Sequence, residues 1–302
     1  MKNIFILGAE KAGTTSLAQW MLDNQLATLL VPGIKEPYIY SRSDFGSFGI
    51  PYHSLPTLDA SVGYSTNISA IQRMPEHNTD VFFCLRNAFE RSWSAFKMYK
   101  ISSLNSDDNT LLNNRFTFEL TNSGESVIDA INKIHELHFP AKSKNWIEGY
   151  LTEERNRIMQ KNFSSWIEYE LKFYITRGTW PFYSIIRNSL YYLQIKNILS
   201  KFRTDQINLI SVRNLDDPTT RDHIVNKVFN CKKQTSKPNN VFSSSDLSID
   251  EEKPNFEHSK FDFLRSIFKT DLGYFTEEIN KAGLSTDYCN INELSTFINP
   301  KN

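Results

Sequence analysis

The chain has 302 residues, 40% of them hydrophobic and 23% charged, the proportions of an ordinary globular protein with length for one large α/β domain or two small ones. Lysine plus arginine and aspartate plus glutamate both number 34. No global charge draws such a chain to nucleic acid or to an anionic membrane, so any anion site has to be built locally. The cysteines Cys84, Cys231 and Cys289 are widely spaced and form neither a disulfide framework nor a zinc pattern, which makes a reducing compartment the simpler expectation.

Near the start, Lys2 precedes the short apolar run Ile4-Phe5-Ile6-Leu7, which stops at Gly8. A secretory h-region needs about 7–15 apolar residues, so the run predicts a strand and no signal peptide. A glycine-bearing loop follows, and Thr14–Leu22 predicts a helix. Residues 28–31 predict a second strand, 33–60 irregular loops with short helices, and Ile68–Met74 a short helix. Asp80–Leu85 is apolar almost throughout, as buried parallel strands are, and leads through Arg86 into a helix from about Phe89 to Tyr99. Residues 101–125 are polar and suggest an insertion. Helical periodicity recurs over 126–200, including Val127–Leu137 and Asn188–Leu199. Gln206–Val212 predicts another strand and Asp222–Phe229 a helix. Residues 231–258 suggest a long loop, followed by a helix from about Phe261 and another across Gly273–Lys281. No run approaches the roughly 18 apolar residues of a membrane span. Alternating strands and helices predict a parallel sheet wrapped by helices.

Two stretches carry chemistry. Gly8-Ala9-Glu10-Lys11-Ala12-Gly13-Thr14-Thr15-Ser16 lies between a strand and a helix, where unpaired amide groups and the helix dipole favour an anion. Its glycine spacing matches the nucleotide-triphosphate loop, but Thr14 stands where that loop has its lysine, and the lysine sits earlier, at Lys11. This suggests one phosphate and its leaving oxygen in place of a magnesium-bound triphosphate; a chance turn before a helix is the bland alternative. In the second stretch Arg86 closes a strand at the sheet edge where α/β folds bind ligands, and Ser94 follows eight residues on. A guanidinium and a hydroxyl there suit one phosphate, against the plainer possibility of a surface salt bridge. Glu90 and Arg91 look like first-turn charge and solvated helix face.

Together these stretches resemble PAPS-dependent sulfotransferases (PAPS is 3′-phosphoadenosine 5′-phosphosulfate), in particular the carbohydrate, heparan-sulfate-type branch and its bacterial relatives. Lys11 to Thr15 is similar to the 5′-phosphosulfate loop, and Arg86 to Ser94 to the 3′-phosphate motif. Lys35-Glu36-Pro37-Tyr38 resembles the Lys-Glu element, Gly49 to Leu55 the segment after it, Ser61 to Tyr64 the next loop, and Ser189-Leu190-Tyr191 a Gly-x-Tyr helix opening. The likeness covers most of 3–99 and 186–230. Asn87-Ala88 replaces the usual Asp-Pro, and the late basic loop is matched loosely by Cys231-Lys232-Lys233 and Lys237-Pro238-Asn239-Asn240.

The resemblance implies one domain over 1–302, with a P-loop-type parallel sheet flanked by helices on both faces. Within it, 101–185 would be a variable helical insertion on the acceptor side and 231–258 a nucleotide-covering loop. It implies PAPS as co-substrate without a required metal, a carbohydrate or other hydroxyl- or amine-bearing acceptor, and a cytoplasmic location compatible with work beside a membrane-bound glycan assembly system. Lys11, Ala12, Gly13, Thr14, Thr15 and Ser16 would hold the 5′ end; Arg86, Ser94, Tyr191 and Lys233 would complete the nucleotide site. Lys11 and Lys35 would assist transfer, and Glu36 would be the base, with His53 as its rival. A small-molecule kinase and an inert nucleotide-binding module remain the alternatives. His135 and His138 lack a completing metal ligand. The aromatics Trp146, Trp166, Tyr169, Phe173, Tyr174, Trp180, Phe182 and Tyr183 divide between sugar stacking and core, with core favoured.

Overall fold

The computed structural model describes residues 2–41, 53–104, 149, 153, 156–181, 183–238 and 249–298. In chain order its principal elements are β1 (Asn3–Gly8), α1 (Thr14–Asp23), β2 (Thr28–Leu29), β3 (Thr57–Asp59), α2 (Ile68–Arg73), β4 (Thr79–Cys84) and α3 (Ala88–Leu104). Then follow α4 (Phe163–Arg177), α5 (Tyr191–Leu199), β5 (Ile207–Ile210), α6 (Pro218–Phe229), α7 (Asp262–Ala282) and the short α8 (Ile291–Leu294). The five strands form one sheet in the order β2-β3-β1-β4-β5, with every pairing parallel. β1 and β4 lie inside it, which explains their nearly unbroken apolar sequences: both faces of such a strand are covered. Asp80, the half-exposed exception within β4, pairs with Lys2 at 2.6 Å.

One apolar core joins the strands to α1, α5, α6 and the second half of α7. A second is largely aromatic and packs α3 against α4, the 256–261 segment and the first half of α7. There Phe89 meets Phe268 edge-on at 5.1 Å, and Phe163 meets Trp93 at 5.4 Å. Trp166 and Tyr183 belong to this core, and Tyr169 and Trp180 pack against it; Phe173 is buried against Tyr169, and the exposed Tyr174 stacks on Trp180 at 4.4 Å. Trp146, Phe182, His135, His138 and the Val127–Leu137 helix fall outside the described residues.

Three expectations change. Thr57–Asp59 is a strand inside the stretch expected to be irregular; at three residues it has no period of its own, and its pairing with β1 and β2 makes it one. Asp262–Ala282 is one helix, not two. Gly273 costs about 1 kcal/mol relative to alanine inside it, and the buried Leu264, Phe268, Phe275 and Ile279 on either side hold the helix through that point. Arg91 is not on a solvated face: it is fully buried. Among the described residues no helix is long and apolar enough to cross a membrane.

Candidate active site

β1 delivers the chain to Gly8 at the carboxyl edge of the sheet, and α1 begins at Thr14. Gly13 caps α1 with φ 95°, and a Cβ there would stand 2.7 Å from Val212 Cγ2, so only glycine fits both the dihedral and the space. No side chain caps α1 and no acidic residue stands in its first turn, which leaves the dipole end uncompensated by the protein. Thr14 is buried, and Thr15 and Ser16 are half-buried, on that first turn.

Two arginines from the β4–α3 junction hold the loop from beneath. Arg91 donates to the Glu10 carbonyl at 3.1 Å, to Ser189 Oγ at 2.6 Å and to the Ile185 carbonyl. Arg86 donates to the Lys11 carbonyl at 3.2 Å and lies 3.6 Å from Glu90. The Glu10 carboxylate accepts from Asn188 at 3.0 Å and from the Tyr99 hydroxyl. Lys11 itself has φ 62°, a left-handed conformation that non-glycine residues seldom adopt. Burial pushes its ammonium pKa down; Glu10 opposes the shift, and the positive charges of Arg86, Arg91 and Lys35 add to it. Three separate segments thus bring cations around one helix terminus.

Asn87 accounts for the departure from Asp-Pro. Its Oδ1 caps α3 by accepting from the Phe89 and Glu90 amides at 3.1 and 3.2 Å, and its Nδ2 donates to the carbonyls of Leu294 and Thr296 at 3.1 and 2.5 Å. An ionised aspartate would cap equally well but could not donate. Ser94 lies on α3, buried, on the face that also carries Glu90 and Lys97 at helical spacing. Burial pushes the Lys97 ammonium pKa down, and Arg86 and Lys253 push it further. Lys253 pairs with Glu90.

Tyr191 packs beneath Arg86. Its hydroxyl donates to the Arg86 carbonyl at 2.5 Å and accepts from the Arg86 amide at 3.3 Å, and burial pushes its pKa up to about 12. That hydroxyl bonds to the Arg86 backbone and so helps to place Arg86. Asp271 of α7 caps α5 from outside by accepting the Tyr191 amide at 2.6 Å.

Lys35 and Glu36 follow β2. The Lys35 carbonyl accepts from the Ala60 amide at 3.0 Å, its ammonium pairs with Glu36, and the Tyr38 hydroxyl donates to Glu36 Oε2 at 2.9 Å. Nearby, Asp59 ends β3 fully buried. Burial pushes its pKa up to about 7 against the hydrogen bonds from Ser61 and Tyr64, with Glu36 adding slightly. His53 has Nε2 3.3 Å from the Leu30 carbonyl, so that nitrogen carries the proton when the bond forms. Of the segment from Gly49 to Leu55, only 53–55 lie within the described residues.

Lys233 goes elsewhere. Its ammonium donates at 2.5 Å to the carbonyl of Asn24, at the C-terminal end of α1, about 15 Å of helix from the loop. Ser236 is held there too, through Asn24 and Trp20. Residues 231–238 are anchored at that end, so Lys233 lies apart from Lys11, whereas Lys253, farther along the same expected loop, pairs with Glu90. Arg91, Lys97, Lys253 and Asp59 carry no distinguishing mark in the sequence. Only the four-residue helical spacing from Glu90 to Ser94, continued three residues to Lys97, hinted at a shared face.

A glycine-bounded loop between a parallel strand and a helix, at the carboxyl edge of an all-parallel five-stranded sheet flanked by helices, defines an α/β protein. Among solved structures the chain is similar to a sulfotransferase from Alicyclobacillus acidocaldarius, with TM-score 0.50 and 17% identity over 93% of this chain and 96% of that one. At that identity the likeness establishes a shared fold. No family model matches the chain, and no curated protein is significantly similar to it.

Proposed function

We propose that this chain transfers a sulfuryl group from PAPS to a hydroxyl or amine acceptor of the carbohydrate or glycolipid class. The observation that carries the proposal is the convergence of Lys11, Lys35, Arg86 and Arg91 on the uncapped end of α1. A half-buried cation cluster beside a helix N-terminus suits a compact anion. The likeness in fold to a sulfotransferase supports the same reading.

The bound nucleotide would supply an activated sulfuryl group and a 5′-phosphate leaving group. The residues of this chain would do the rest. Lys11 and the amides and hydroxyls of Thr14, Thr15 and Ser16, with the Ala12–Gly13 bend, hold the 5′-phosphate and stabilise charge on the leaving oxygen. Donors fixed before the reaction cost no reorganisation when that charge develops. Arg86 and Ser94 hold the 3′-phosphate, with Lys97 and Lys253 adding positive field. Glu36 takes the acceptor proton, and Lys35 steadies the sulfuryl oxygens and the carboxylate beside it. This assignment places Arg91 and Tyr191 under the loop and under Arg86 as supports, and leaves Lys233 out of the nucleotide site.

Two measurements test the proposal. Calorimetric titration should show binding of 3′,5′-adenosine bisphosphate and none of ATP with magnesium. Radiolabelled PAPS should transfer its sulfate to at least one member of a panel of glycans and glycolipids. Preference for ATP with magnesium would point to a kinase and overturn the proposal. Nucleotide binding without transfer to any acceptor would reduce the chain to a binding module.

A further inference from the structure

Asp59 sits at the centre of a hydrogen-bonded fork whose two arms end on the backbone just beyond Glu36. Its Oδ1 accepts from the Ser61 hydroxyl at 2.5 Å and from the Ser61 amide at 3.0 Å. That hydroxyl oxygen accepts in turn from the Tyr38 amide at 2.9 Å. Its Oδ2 accepts from the Tyr64 hydroxyl at 3.0 Å, and the Tyr64 oxygen accepts from the Tyr40 amide at 3.2 Å. Each hydroxyl has a single proton. When Asp59 is ionised its carboxylate takes both protons, so the lone pairs of both oxygens are turned toward the Tyr38 and Tyr40 amides. Asp59, Ser61 and Tyr64 are all at most 1% exposed, so bulk water has no access to either arm.

The segment held this way is strained. Tyr38 has φ 49°, and an aromatic residue keeps a left-handed backbone only where its surroundings over-determine it. Here the Ser61 oxygen fixes its amide, and its ring lies over Gly63, where a Cβ would come within 3.2 Å of the ring. The ring also meets Tyr64 edge-on at 5.7 Å. From that position the Tyr38 hydroxyl reaches back to Glu36 Oε2, while the Ala60 amide holds the Lys35 carbonyl on the other side. Glu36 is therefore bracketed on both sides by groups fixed at the end of β3.

We propose that Asp59 is a positioning residue for Glu36, setting the Tyr38 and Tyr40 backbone through Ser61 and Tyr64, and the Glu36 carboxylate through the Tyr38 hydroxyl. This rests on Glu36 being the base. A displacement of about 1 Å at a reacting group costs on the order of 10²-fold in rate, so a fork that holds Glu36 acts on turnover and not on nucleotide binding.

The test is a mutant cycle on Asp59→Asn, Tyr64→Phe and Glu36→Gln, with each of the first two also combined with Glu36→Gln. Turnover is followed with PAPS and an accepted glycan, and nucleotide affinity with 3′,5′-adenosine bisphosphate. Asp59→Asn and Tyr64→Phe should each lower kcat by roughly 10- to 100-fold, with unchanged nucleotide affinity. Neither should lower kcat further once Glu36 is glutamine, because groups acting through one another are non-additive. Tyr64→Phe preserves the ring in the core and carries the test alone if Asp59→Asn does not fold. Losses that multiply in the double variants, nucleotide affinity falling in step with kcat, or wild-type turnover in Tyr64→Phe would overturn the positioning role while leaving Glu36 as the base. Wild-type turnover in Glu36→Gln would remove the base, and this proposal with it.

Discussion

Replacing Gly13 by alanine should loosen the phosphate loop through two separable effects. The backbone there has φ 95°, where an L-residue is disfavoured by about 1–2 kcal/mol. The new methyl would stand 2.7 Å from Val212 Cγ2 and 2.9 Å from Val212 Cβ, an overpacking that typically costs about 1–3 kcal/mol. The sum, about 2–5 kcal/mol, is a large part of the roughly 5–15 kcal/mol that holds a domain together. Thermal unfolding followed by circular dichroism should show a fall in Tm on the order of 5–10 °C. Relief of the clash would shift the first turn of α1, so affinity for 3′,5′-adenosine bisphosphate should fall as well. Adding Val212→Ala separates the two effects. It removes the Cγ contacts but leaves Cβ at 2.9 Å, so it should restore part of the steric loss and none of the backbone loss. Full restoration by Val212→Ala would show that the dihedral carries no cost. An unchanged Tm and nucleotide affinity in Gly13→Ala would refute the reasoning altogether.

Lys11→Ala should lower turnover by on the order of 10²–10³-fold, the typical effect of deleting one preorganised donor to a developing oxyanion; single-turnover kinetics at saturating PAPS measure it. Arg86→Ala should weaken 3′,5′-adenosine bisphosphate binding by roughly 10- to 100-fold, the loss expected for a charged hydrogen bond. The same variant should leave affinity for adenosine 5′-phosphosulfate, which lacks the 3′-phosphate, nearly unchanged. Stability should fall as pH rises from mildly acidic to mildly alkaline. Burial pushes Asp59 and Glu170 up to about 7 and Asp271 up to about 6, against about 4 in the unfolded chain. Between those values the folded chain keeps protons that the unfolded chain has released, so this contribution is complete below about pH 4 and lost as pH rises through about 7. Urea midpoints at about pH 5.5 and 8 should show the lower midpoint at the higher pH, and the reverse order would contradict the burial of these carboxyls.

The resemblance drawn from short motifs pointed to the same fold that the three-dimensional likeness supports, because a strand, a glycine loop and a helix are contiguous in sequence. β1, α1, β4 and the start of α3 follow from local pattern: apolar runs for strands covered on both faces, and helical period for helices. Pairs distant in sequence left no such trace. Arg91 looked like a surface residue because nothing near it in the chain reveals that the carbonyls of Glu10 and Ile185 close over it. Thr57–Asp59 looked irregular because its partners are β1 and β2. Lys233 looked suited to a lid because charge and loop position say nothing of the Asn24 carbonyl that holds it.

What the sequence determined by itself is a set of local conformers: the glycine bend before α1, the apolar strands β1, β4 and β5, and helices such as α1 and the start of α3, each fixed by residues near one another in the chain. What only the tertiary structure decided is which charges meet. Lys11, Lys35 and Arg86 come from three segments, and Asp59 reaches Glu36 through two hydroxyls from another loop. A buried charge takes its behaviour from every dipole and ion within a few ångströms, and in this chain those neighbours lie far along the sequence, as the 178 residues between Glu10 and Asn188 show.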